Sequence, residues 1–553
     1  MLSFKKLYLI SVGLLSVVIS FFFVGEAKGQ NCTPTERVYA NNQTSSTDVT
    51  VFFVTLAEVN NKPNSVDGSL YTHSILSTYV GLLGLGTAWQ NLRFPAAELP
   101  AGDNGSVPVS VKLGTGSTIL NVLNNVTIQA TLSGVPVGTA YSGASLLGLL
   151  SGQGENIITF TPGAKYDGVR VIINPIVDVG TSVDLYYAYF NKPSGAIACV
   201  SPIEVLSGST GTIASSLTAV ENPLRSIDGN LGLYAKINST VTALNETYLT
   251  AVYPAHSVVG DSIRMIIESD NLALLNATIL ASDFHVRGFS GNTQVMDVAG
   301  NSPFLNLNLL NGSTTKYTIT IPITNAFDKV QIATAGGLAS LLNGLRIYEI
   351  QRIIAKPKIS SIDLIANLIT LCAGNTTTLT IGTAQDCTTY NWYNTAIGGA
   401  ILHTGVSYTP DVSSLTPGDH IFYVESVRNN CTETSGRIPI NIKINSLPSI
   451  TLGTNPSICV ETLTALLPFT ATTETPISYS ITWAGGSPLT NIVSAAFPAS
   501  SPISIVIPAA TPAATYAGTI TVKNANGCIS DPVNFNVIIN PKLTSPSITI
   551  TSN

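Results

Sequence analysis

The chain has 553 residues and a formal net charge of −6, and 10% of its residues are charged while 45% are hydrophobic. Disorder requires low hydrophobicity and high charge, so this composition excludes a largely disordered chain. The 25 Lys and Arg residues are scattered and form no basic stripe, which excludes nucleic acid as a partner.

Residues 1–29 have the pattern of an export signal. Lys5 and Lys6 provide the positive start, residues 7–24 are apolar, and small residues follow at the positions that a signal peptidase recognises. A membrane anchor is the alternative, because an apolar run of about 18 residues is just long enough to span a bilayer. We expect a signal peptide that is removed, no membrane span in the mature chain, and roughly three to five domains in the remainder.

The part of the chain that follows contains an internal duplication. Residues 65–70 (Ser-Val-Asp-Gly-Ser-Leu) match residues 226–231 (Ser-Ile-Asp-Gly-Asn-Leu), an offset of 161 positions. Residues 166–171 match residues 327–332 at the same offset. Two separate motifs that share one offset indicate a duplicated unit.

We therefore predict two repeats, residues 30–196 and residues 197–356. Short alternating apolar runs are frequent in both and helical periodicity is scarce. This pattern favours two jelly-roll β-sandwiches.

The first pair of matching segments places an Asp-Gly dipeptide at Asp67 and at Asp228. One interpretation is a tight turn, in which the Asp side chain bonds its own backbone and Gly adopts a positive φ. The other makes both carboxylates sugar or calcium contacts at the sandwich rim. Asp167 and Asp328 would join them if the loops converge, because calcium takes about six to eight oxygen ligands. The two motifs resemble the Asp-Gly element of discoidin-type, galactose-binding-like jelly rolls.

Sugar binding would also require exposed aromatic side chains, and three residues are candidates for this role. They are Trp89, Tyr71 and Tyr234, with core packing as the alternative for Trp89.

Residues 357–445 have the pattern of an immunoglobulin-like sandwich. Short β-rich runs, such as 390–393 and 421–427, are separated by Gly, Asn, Pro and Asp, and one Trp lies on an alternating strand. The segment resembles the Ig-like modules of large secreted surface proteins of Bacteroidetes-type bacteria, which implies export to the cell surface. We expect Trp392 in the core, with Tyr423 packed near it.

Residues 446–541 predict a further β-sandwich with Trp483 in its core. The alternating run at 515–522, followed by Asn-Ala-Asn-Gly-Cys, resembles the final strands of polycystic-kidney-disease-type (PKD-like) modules. We expect residues 542–553 to be a linker or the first strand of another module in a longer protein.

Seven cysteines in an exported chain favour disulfides, and the absence of a Cys-x-x-Cys pair argues against a zinc site. Cys459 and Cys528 flank one predicted sandwich and are expected to pair. Cys387 and Cys431 lie in loops at the same end of the Ig-like sandwich, which favours their pairing because Cα atoms more than about 7 Å apart cannot be bridged. Cys372 with Cys431 is the alternative, matching the first and last cysteines of similar modules.

The sequence contains neither a Gly-x-Ser-x-Gly elbow nor a His-Glu-x-x-His helix. We therefore expect a non-catalytic secreted or cell-surface protein that acts in adhesion or as a structural spacer. No cofactor is expected beyond the calcium alternative, and the expected partner is an extracellular or cell-surface glycan or protein. Two other functions stay open: carbohydrate binding by the duplicated modules, and polysaccharide degradation.

Overall fold

The computed structural model describes residues 35–543 apart from internal gaps at 47–48, 52–53, 80–85, 100–103, 115–124, 148–153, 175–180, 210–219, 239–245, 269–283, 301, 303–305, 314, 336–344, 413–414 and 430. The predicted signal peptide, Cys32 and residues 544–553 lie outside the described residues. The chain divides into two compact units. Unit 1 extends to Ala355 and includes Gln385–Thr389 and Ser426–Ser435, and unit 2 contains Lys356–Ala384, Tyr390–Glu425 and the chain from Gly436 onward.

Regular structure in the described residues is almost entirely β, which confirms the predicted fold class of tandem β-sandwiches. The exceptions are one short α-helix and three 3₁₀ turns. These are α1 (Gly143–Leu147), η1 (Lys62–Val66), η2 (Ala96–Glu98) and η3 (Pro223–Ser226).

Two sheets form the first repeat. One has seven strands in the order β10-β7-β12-β5-β4-β3 with β1 paired to β12, and the other has the order β2-β6-β11-β8-β9. The strands are β1 (Thr35–Tyr39), β2 (Asn42–Ser45), β3 (Val49–Val51), β4 (Val54–Asn60), β5 (Ser74–Thr78), β6 (Ala88–Arg93), β7 (Val109–Gly114), β8 (Val126–Leu132), β9 (Val135–Ser142), β10 (Asn156–Phe160), β11 (Gly168–Ile173) and β12 (Thr181–Pro193).

The second repeat also consists of two sheets. Its five-stranded sheet has the order β13-β16-β22-β18-β19 and its six-stranded sheet the order β14-β15-β23-β17-β21-β20. The strands are β13 (Glu204–Ser209), β14 (Val220–Glu221), β15 (Ala235–Ile237), β16 (Glu246–Val252), β17 (Ser262–Glu268), β18 (Phe284–Ser290), β19 (Thr293–Ala299), β20 (Asn306–Leu309), β21 (Lys316–Pro322), β22 (Lys329–Ala335) and β23 (Leu345–Ile353). Each strand of the five-stranded sheet has a counterpart at the same place in the first repeat, so the duplication extends to topology.

Alternation along the strands decides which side chains enter each core. In β21, Tyr317, Ile319 and Ile321 are buried while the residues between them are partly exposed. In β8, Val126 and Ile128 enter the core of the first repeat in the same way. Two-residue periodicity therefore predicts the sandwich interiors correctly.

Unit 2 holds most of two further sandwiches, and its first strands belong to the range 357–445. They are β24 (Leu364–Ile365), β25 (Leu368–Cys372), β26 (Leu379–Thr380), β27 (Thr388–Tyr393), β28 (His403–Thr404), β29 (Ser407–Tyr408), β30 (Gly418–Arg428) and β31 (Ile438–Asn445). The sheet order is β24-β25-β31-β30-β27-β28, with β26 paired to β29.

The last sandwich packs a main sheet of order β33-β40-β39-β36-β37 with the pairs β32-β35 and β34-β38. Its strands are β32 (Ser449–Leu452), β33 (Ser457–Cys459), β34 (Thr464–Leu467), β35 (Phe469–Thr473), β36 (Pro476–Trp483), β37 (Ile492–Ala496), β38 (Ile503–Val506), β39 (Ala514–Asn524) and β40 (Val533–Asn540).

Two of the three predicted core aromatics lie in these interiors. Trp392 is fully buried and its indole N–H donates to the Gly405 carbonyl at 2.9 Å, and Trp483 belongs to the core of the last sandwich. Tyr423 does not, which corrects the prediction. Phe422 and Val424 point into the core, so Tyr423 faces the other side of β30, where it is half-buried.

The disulfides also differ from the predicted pairs. Cys372 pairs with Cys528 and Cys199 pairs with Cys431, with Cα–Cα distances of 5.5 and 5.4 Å. Cys459 is free and exposed. The predicted pairs assumed that each bond closes within one sandwich, whereas Cys372 and Cys528 join two successive sandwiches of unit 2. Cys387 is disulfide-bonded, but not to Cys431.

Candidate functional site

The outer faces of two sheets, one from each repeat, meet within unit 1. On β7, Val111 and Leu113 enter the core of the first repeat, so Lys112 points outward. On β13, Val205 enters the core of the second repeat, so Glu204 points outward. Both charged side chains are nonetheless buried, with exposed fractions of 1% for Lys112 and 0% for Glu204.

These two side chains are the centre of a buried charge cluster. The Lys112 Nζ lies 2.9 Å from Glu204 Oε1 and 3.1 Å from Glu155 Oε2. The Arg37 guanidinium lies 3.4 Å from Glu204 Oε2, and the Tyr187 hydroxyl donates to the same oxygen. Burial lowers the pKa of Lys112, but the attraction of the two carboxylates outweighs it and raises this pKa.

Tyrosine rings surround the charges. The Arg37 guanidinium lies 4.2 Å from the Tyr189 ring centroid, and the Lys112 Nζ lies 4.4 Å from that of Tyr186. The Tyr186 hydroxyl donates to Glu155 at 3.1 Å. Burial raises the pKa of Tyr187 well above its usual value. The phenols therefore stay neutral and donate hydrogen bonds to the carboxylates.

A cavity of about 790 Å³ opens beside this cluster, between the two repeats. Residues of both repeats line it, and they include both apolar and polar side chains. They are Tyr71, Glu155 and Tyr186 from the first repeat, and Pro202, Ile203, Val205, Asn222, Pro223, Leu224, Arg225, Ile227 and Asp228 from the second.

The local sequence of the second repeat fixes the part of the lining between Asn222 and Asp228. Asn222 adopts a left-handed conformation with φ 48°, and the 3₁₀ turn η3 begins at the next residue, where proline supplies the required backbone angle. The Asp228 carboxylate then accepts a hydrogen bond from the Asn230 N–H at 2.9 Å and one from the Arg225 guanidinium at 3.0 Å. Arg225 and Asp228 are thereby held side by side at the cavity.

Both Asp-Gly dipeptides have the geometry of the tight-turn interpretation. The Asp67 carboxylate accepts from the Ser69 N–H at 2.8 Å, as Asp228 does from Asn230, and the following glycines have φ of +84° and +71°. The two turns are equivalent in the duplicated fold. Only Asp228 of the pair lines the cavity.

Asp167 and Asp328 hold hairpins and do not join the other two aspartates. Asp167 accepts from the Ser133 N–H and from the Arg93 guanidinium, and Asp328 accepts from the Gly291 N–H. Ser133 and Gly291 lie at the β8–β9 and β18–β19 turns, and Arg93 lies at the end of β6. Each of the four predicted aspartates thus has its own separate partners, and the structure does not bring them together as ligands of one calcium ion.

Across the described residues, one group of potential metal ligands lies close together, formed by Cys199, Cys431 and Glu433. Both sulfur atoms are joined in a disulfide, so they are not thiolate ligands. The Glu433 carboxylate instead accepts a hydrogen bond from the Cys199 N–H at 2.9 Å.

The three aromatic candidates have different surroundings. Trp89 is half-buried on an outer sheet face with the Arg170 guanidinium 4.1 Å from its ring centroid. The Tyr234 ring packs on that of Tyr348, with centroids 5.5 Å apart. Tyr71 lines the cavity and is 45% exposed.

A second buried ion pair lies in unit 1. The Arg428 guanidinium donates to Asp261 and, at 2.9 Å, to the Gln385 amide oxygen. Both members of the ion pair have exposed fractions of 1%. The Asp261 carboxylate also accepts from the Ala355 N–H at 2.9 Å. Sequence reasoning missed both buried clusters, although a single charged residue in an apolar strand, such as Lys112 between Val111 and Leu113, is a usable signal.

Residues 357–445 match the family model described as "Ig-like domain CHU_C associated". This match confirms the Ig-like resemblance of that segment. No curated protein matches the chain. Within the described residues, no helix combines the length and the apolar character that crossing a bilayer requires.

Similar solved structures include fibronectin(III)-like modules of Clostridium thermocellum CbhA, at 9% identity over 34% of this chain and 100% of that chain, with a TM-score of 0.22. The adhesin domain of Epf from Streptococcus pyogenes has 12% identity over 38% of this chain and 77% of that chain, with a TM-score of 0.20. The titin fragment I67-I69 has 11% identity over 52% of this chain and 94% of that chain, with a TM-score of 0.18.

Proposed function

We propose that the chain is a non-catalytic protein of the cell surface that acts in adhesion or as a spacer, with its two repeats working as one stiff element. Export through residues 1–29 belongs to this proposal, as does a cell-surface or extracellular glycan or protein as partner. The disulfides are compatible with an oxidising compartment.

The buried ion pair between Lys112 and Glu204 is the observation that carries the proposal. Neighbouring domains move relative to one another by default unless their interface is large or strongly packed. Here the interface buries charged groups that retain their partners only in one arrangement of the two sheets. Any sliding of one repeat on the other would leave Glu204 buried without its counter-charges, because both Lys112 and Arg37 belong to the first repeat. An unpaired buried charge costs several kcal/mol.

Apolar contacts stabilise the same interface between the two repeats. Tyr186, Tyr187 and Tyr189 of the first repeat form one cluster with Leu206 and Val252 of the second. An interface that combines aromatic packing with satisfied charges resists both shear and separation. A spacer or an adhesin needs this property, because it must keep its binding surface at a fixed distance under load.

Force spectroscopy on the full chain with its disulfides reduced, held by its two ends, tests the mechanical part. Reduction is required because the Cys199–Cys431 bond closes a covalent loop that contains the second repeat. We expect the two repeats to resist extension together and to yield in one event whose contour-length gain corresponds to both. Glu204→Ala should split this event into two smaller ones at lower force. Two separate events in the unmodified chain would contradict the proposed stiff element.

A hydrolysis screen of the full chain against plant, fungal and bacterial polysaccharides tests the non-catalytic part. No product is expected. Release of oligosaccharides that is abolished by Glu155→Gln or Asp228→Asn would overturn this part and would identify the cavity as an active site.

A further inference from the structure

We propose that the cavity between the two repeats binds a neutral oligosaccharide. This inference rests on the proposed surface function, because it names the chemistry of the partner that such a protein would hold. The observations that carry it are the position of the cavity, the pairing of its charges and the character of its walls.

The position and size suit a small ligand. Binding sites occur preferentially where domains meet, and pockets for small ligands enclose about 300–1,000 Å³. The cavity lies between the repeats and encloses about 790 Å³. This is room for several sugar rings rather than for a folded partner.

The charges of the cavity are already compensated. Glu155 lies 3.1 Å from Lys112, and Asp228 lies 3.0 Å from Arg225. A charged ligand would therefore find no unpaired counter-charge and would have to compete with an existing ion pair. An uncharged ligand rich in hydroxyl groups can donate to the carboxylates and accept from the guanidinium without breaking either pair.

The walls suit an amphipathic ligand. The lining contains apolar side chains, among them Ile203, Leu224 and Ile227, and it includes Tyr71, which is 45% exposed. A tyrosine offers a flat apolar face and a polar hydroxyl in one side chain. A sugar ring has the matching character, because its C–H groups form apolar faces and its hydroxyls project from the edge.

Hydrogen bonds and ion pairs within the protein hold the polar lining residues in place without a ligand. The Asp228 carboxylate is held by the Asn230 N–H, and the Ser226 hydroxyl donates to the Pro223 carbonyl at 2.7 Å within the turn η3. In the first repeat, Glu155 is held by Tyr186 and Lys112. Groups that need no ordering on binding lose less entropy, which favours weakly bound ligands such as sugars.

The duplication supplies a matched pair of variants. Asp67→Ala and Asp228→Ala remove the same turn-forming carboxylate from equivalent positions, and only Asp228 lines the cavity. Tyr71→Ala removes the exposed ring and keeps the contact of this residue with the Asp67 turn, because that contact is made by the backbone N–H to Ser69 Oγ. The full-length chain and these three variants are to be titrated calorimetrically with neutral hexasaccharides of glucose, mannose, galactose and xylose, and with a hexasaccharide of galacturonic acid as the charged comparison.

We expect at least one neutral hexasaccharide to bind, and Tyr71→Ala and Asp228→Ala to weaken its binding by about tenfold or more. Asp67→Ala should lose clearly less, because the Asp67 carboxylate holds the turn beside Tyr71 but does not line the cavity. Three results would each overturn the inference. These are no neutral hexasaccharide binding at millimolar concentration, tighter binding of the acidic sugar, or equal losses in Asp67→Ala and Asp228→Ala. If Asp228→Ala does not fold, Tyr71→Ala decides alone. The force measurement does not depend on sugar, so failure here is distinguishable from failure of the proposed function.

Discussion

Lys112 on β7 and Glu204 on β13 form an ion pair between the two repeats, with Nζ 2.9 Å from Oε1 and almost no solvent exposure on either side. Removing charges from water costs several kcal/mol per ion, and their mutual attraction repays this only if other groups complete the hydrogen bonding. Glu155, Arg37 and the Tyr187 hydroxyl do so here. The pair therefore specifies one arrangement of the repeats more than it adds net stability.

Glu204→Ala should strongly destabilise unit 1. The substitution leaves the buried Lys112 with Glu155 alone and removes the anion beside Arg37, so we expect a loss of about 3–5 kcal/mol in the free energy of unfolding. Urea unfolding followed by circular dichroism measures the loss. Glu98→Ala is the control, because Glu98 pairs with Lys192 at a solvent-exposed site, and its urea midpoint should not change. Equal urea midpoints for the two variants would show that the buried pair contributes no more to stability than the exposed pair.

Alkaline pH should weaken the same interface. The pKa of Lys112 is raised in the folded chain, so its stabilising charge is fully present below about pH 10.4 and is lost as the pH rises through the folded value. Burial raises the pKa of Tyr187, so above about pH 10 the unfolded chain releases a phenol proton that the folded chain retains. Both effects lower the free energy of unfolding with rising pH, each by up to about 1.4 kcal/mol per pH unit.

Urea midpoints measured at intervals from neutral pH to about pH 11 test this expectation. Tyr187→Phe removes one of the titrating groups and should give a shallower alkaline decline than the unmodified chain. A decline of unchanged slope in Tyr187→Phe would assign the effect to other groups.

The sandwich interiors could be predicted because alternation is a local property of the chain. Ile319 and Ile321 could be assigned to a core from β21 alone. Register could not be read so directly, since a shift of one residue exchanges the faces of a strand. The position of Tyr423 on an apolar strand predicts that it packs near Trp392, whereas its neighbours Phe422 and Val424 occupy the interior.

The cavity could not be predicted, because its walls come from two repeats that are far apart in sequence. The Asp-Gly motif identifies Asp228, but nothing in the local sequence of Tyr71 or Glu155 indicates that they line the same cavity. The predicted disulfide pairs are wrong for the same reason. Cys372 and Cys528 are 156 positions apart and lie in different sandwiches.

The disulfide pattern is directly testable by non-reducing proteolysis and mass spectrometry. We expect linked peptides that join Cys199 to Cys431 and Cys372 to Cys528, and no peptide that joins Cys459 to Cys528. Cys459 should react with a maleimide in the native chain because it is free and exposed. Substituting Cys372 and Cys528 together by serine should lower the free energy of unfolding by about 2–5 kcal/mol. A native chain in which Cys459 resists labelling would contradict this pattern.

Gly154 should be sensitive to any side chain, because it lies where the two repeats touch. Its φ is +99°, and an added Cβ would lie 2.6 Å from the Ser207 carbonyl oxygen of the second repeat. The adjacent Glu155 N–H donates to the same oxygen at 3.2 Å, so the clash would also displace this bond and the carboxylate that holds Lys112.

Gly163→Ala is the matched control for Gly154→Ala. Gly163 also has a positive φ, +72°, but an added Cβ would meet nothing within 4 Å. Both substitutions cost about 1–2 kcal/mol because they place alanine in the left-handed region. Only Gly154→Ala must also push the repeats apart. Thermal unfolding and limited proteolysis should therefore show a larger loss of stability and faster cleavage between the repeats in Gly154→Ala. Because backbone strain is common to both variants, an equal response would mean that the contact with Ser207 does not hold the repeats together.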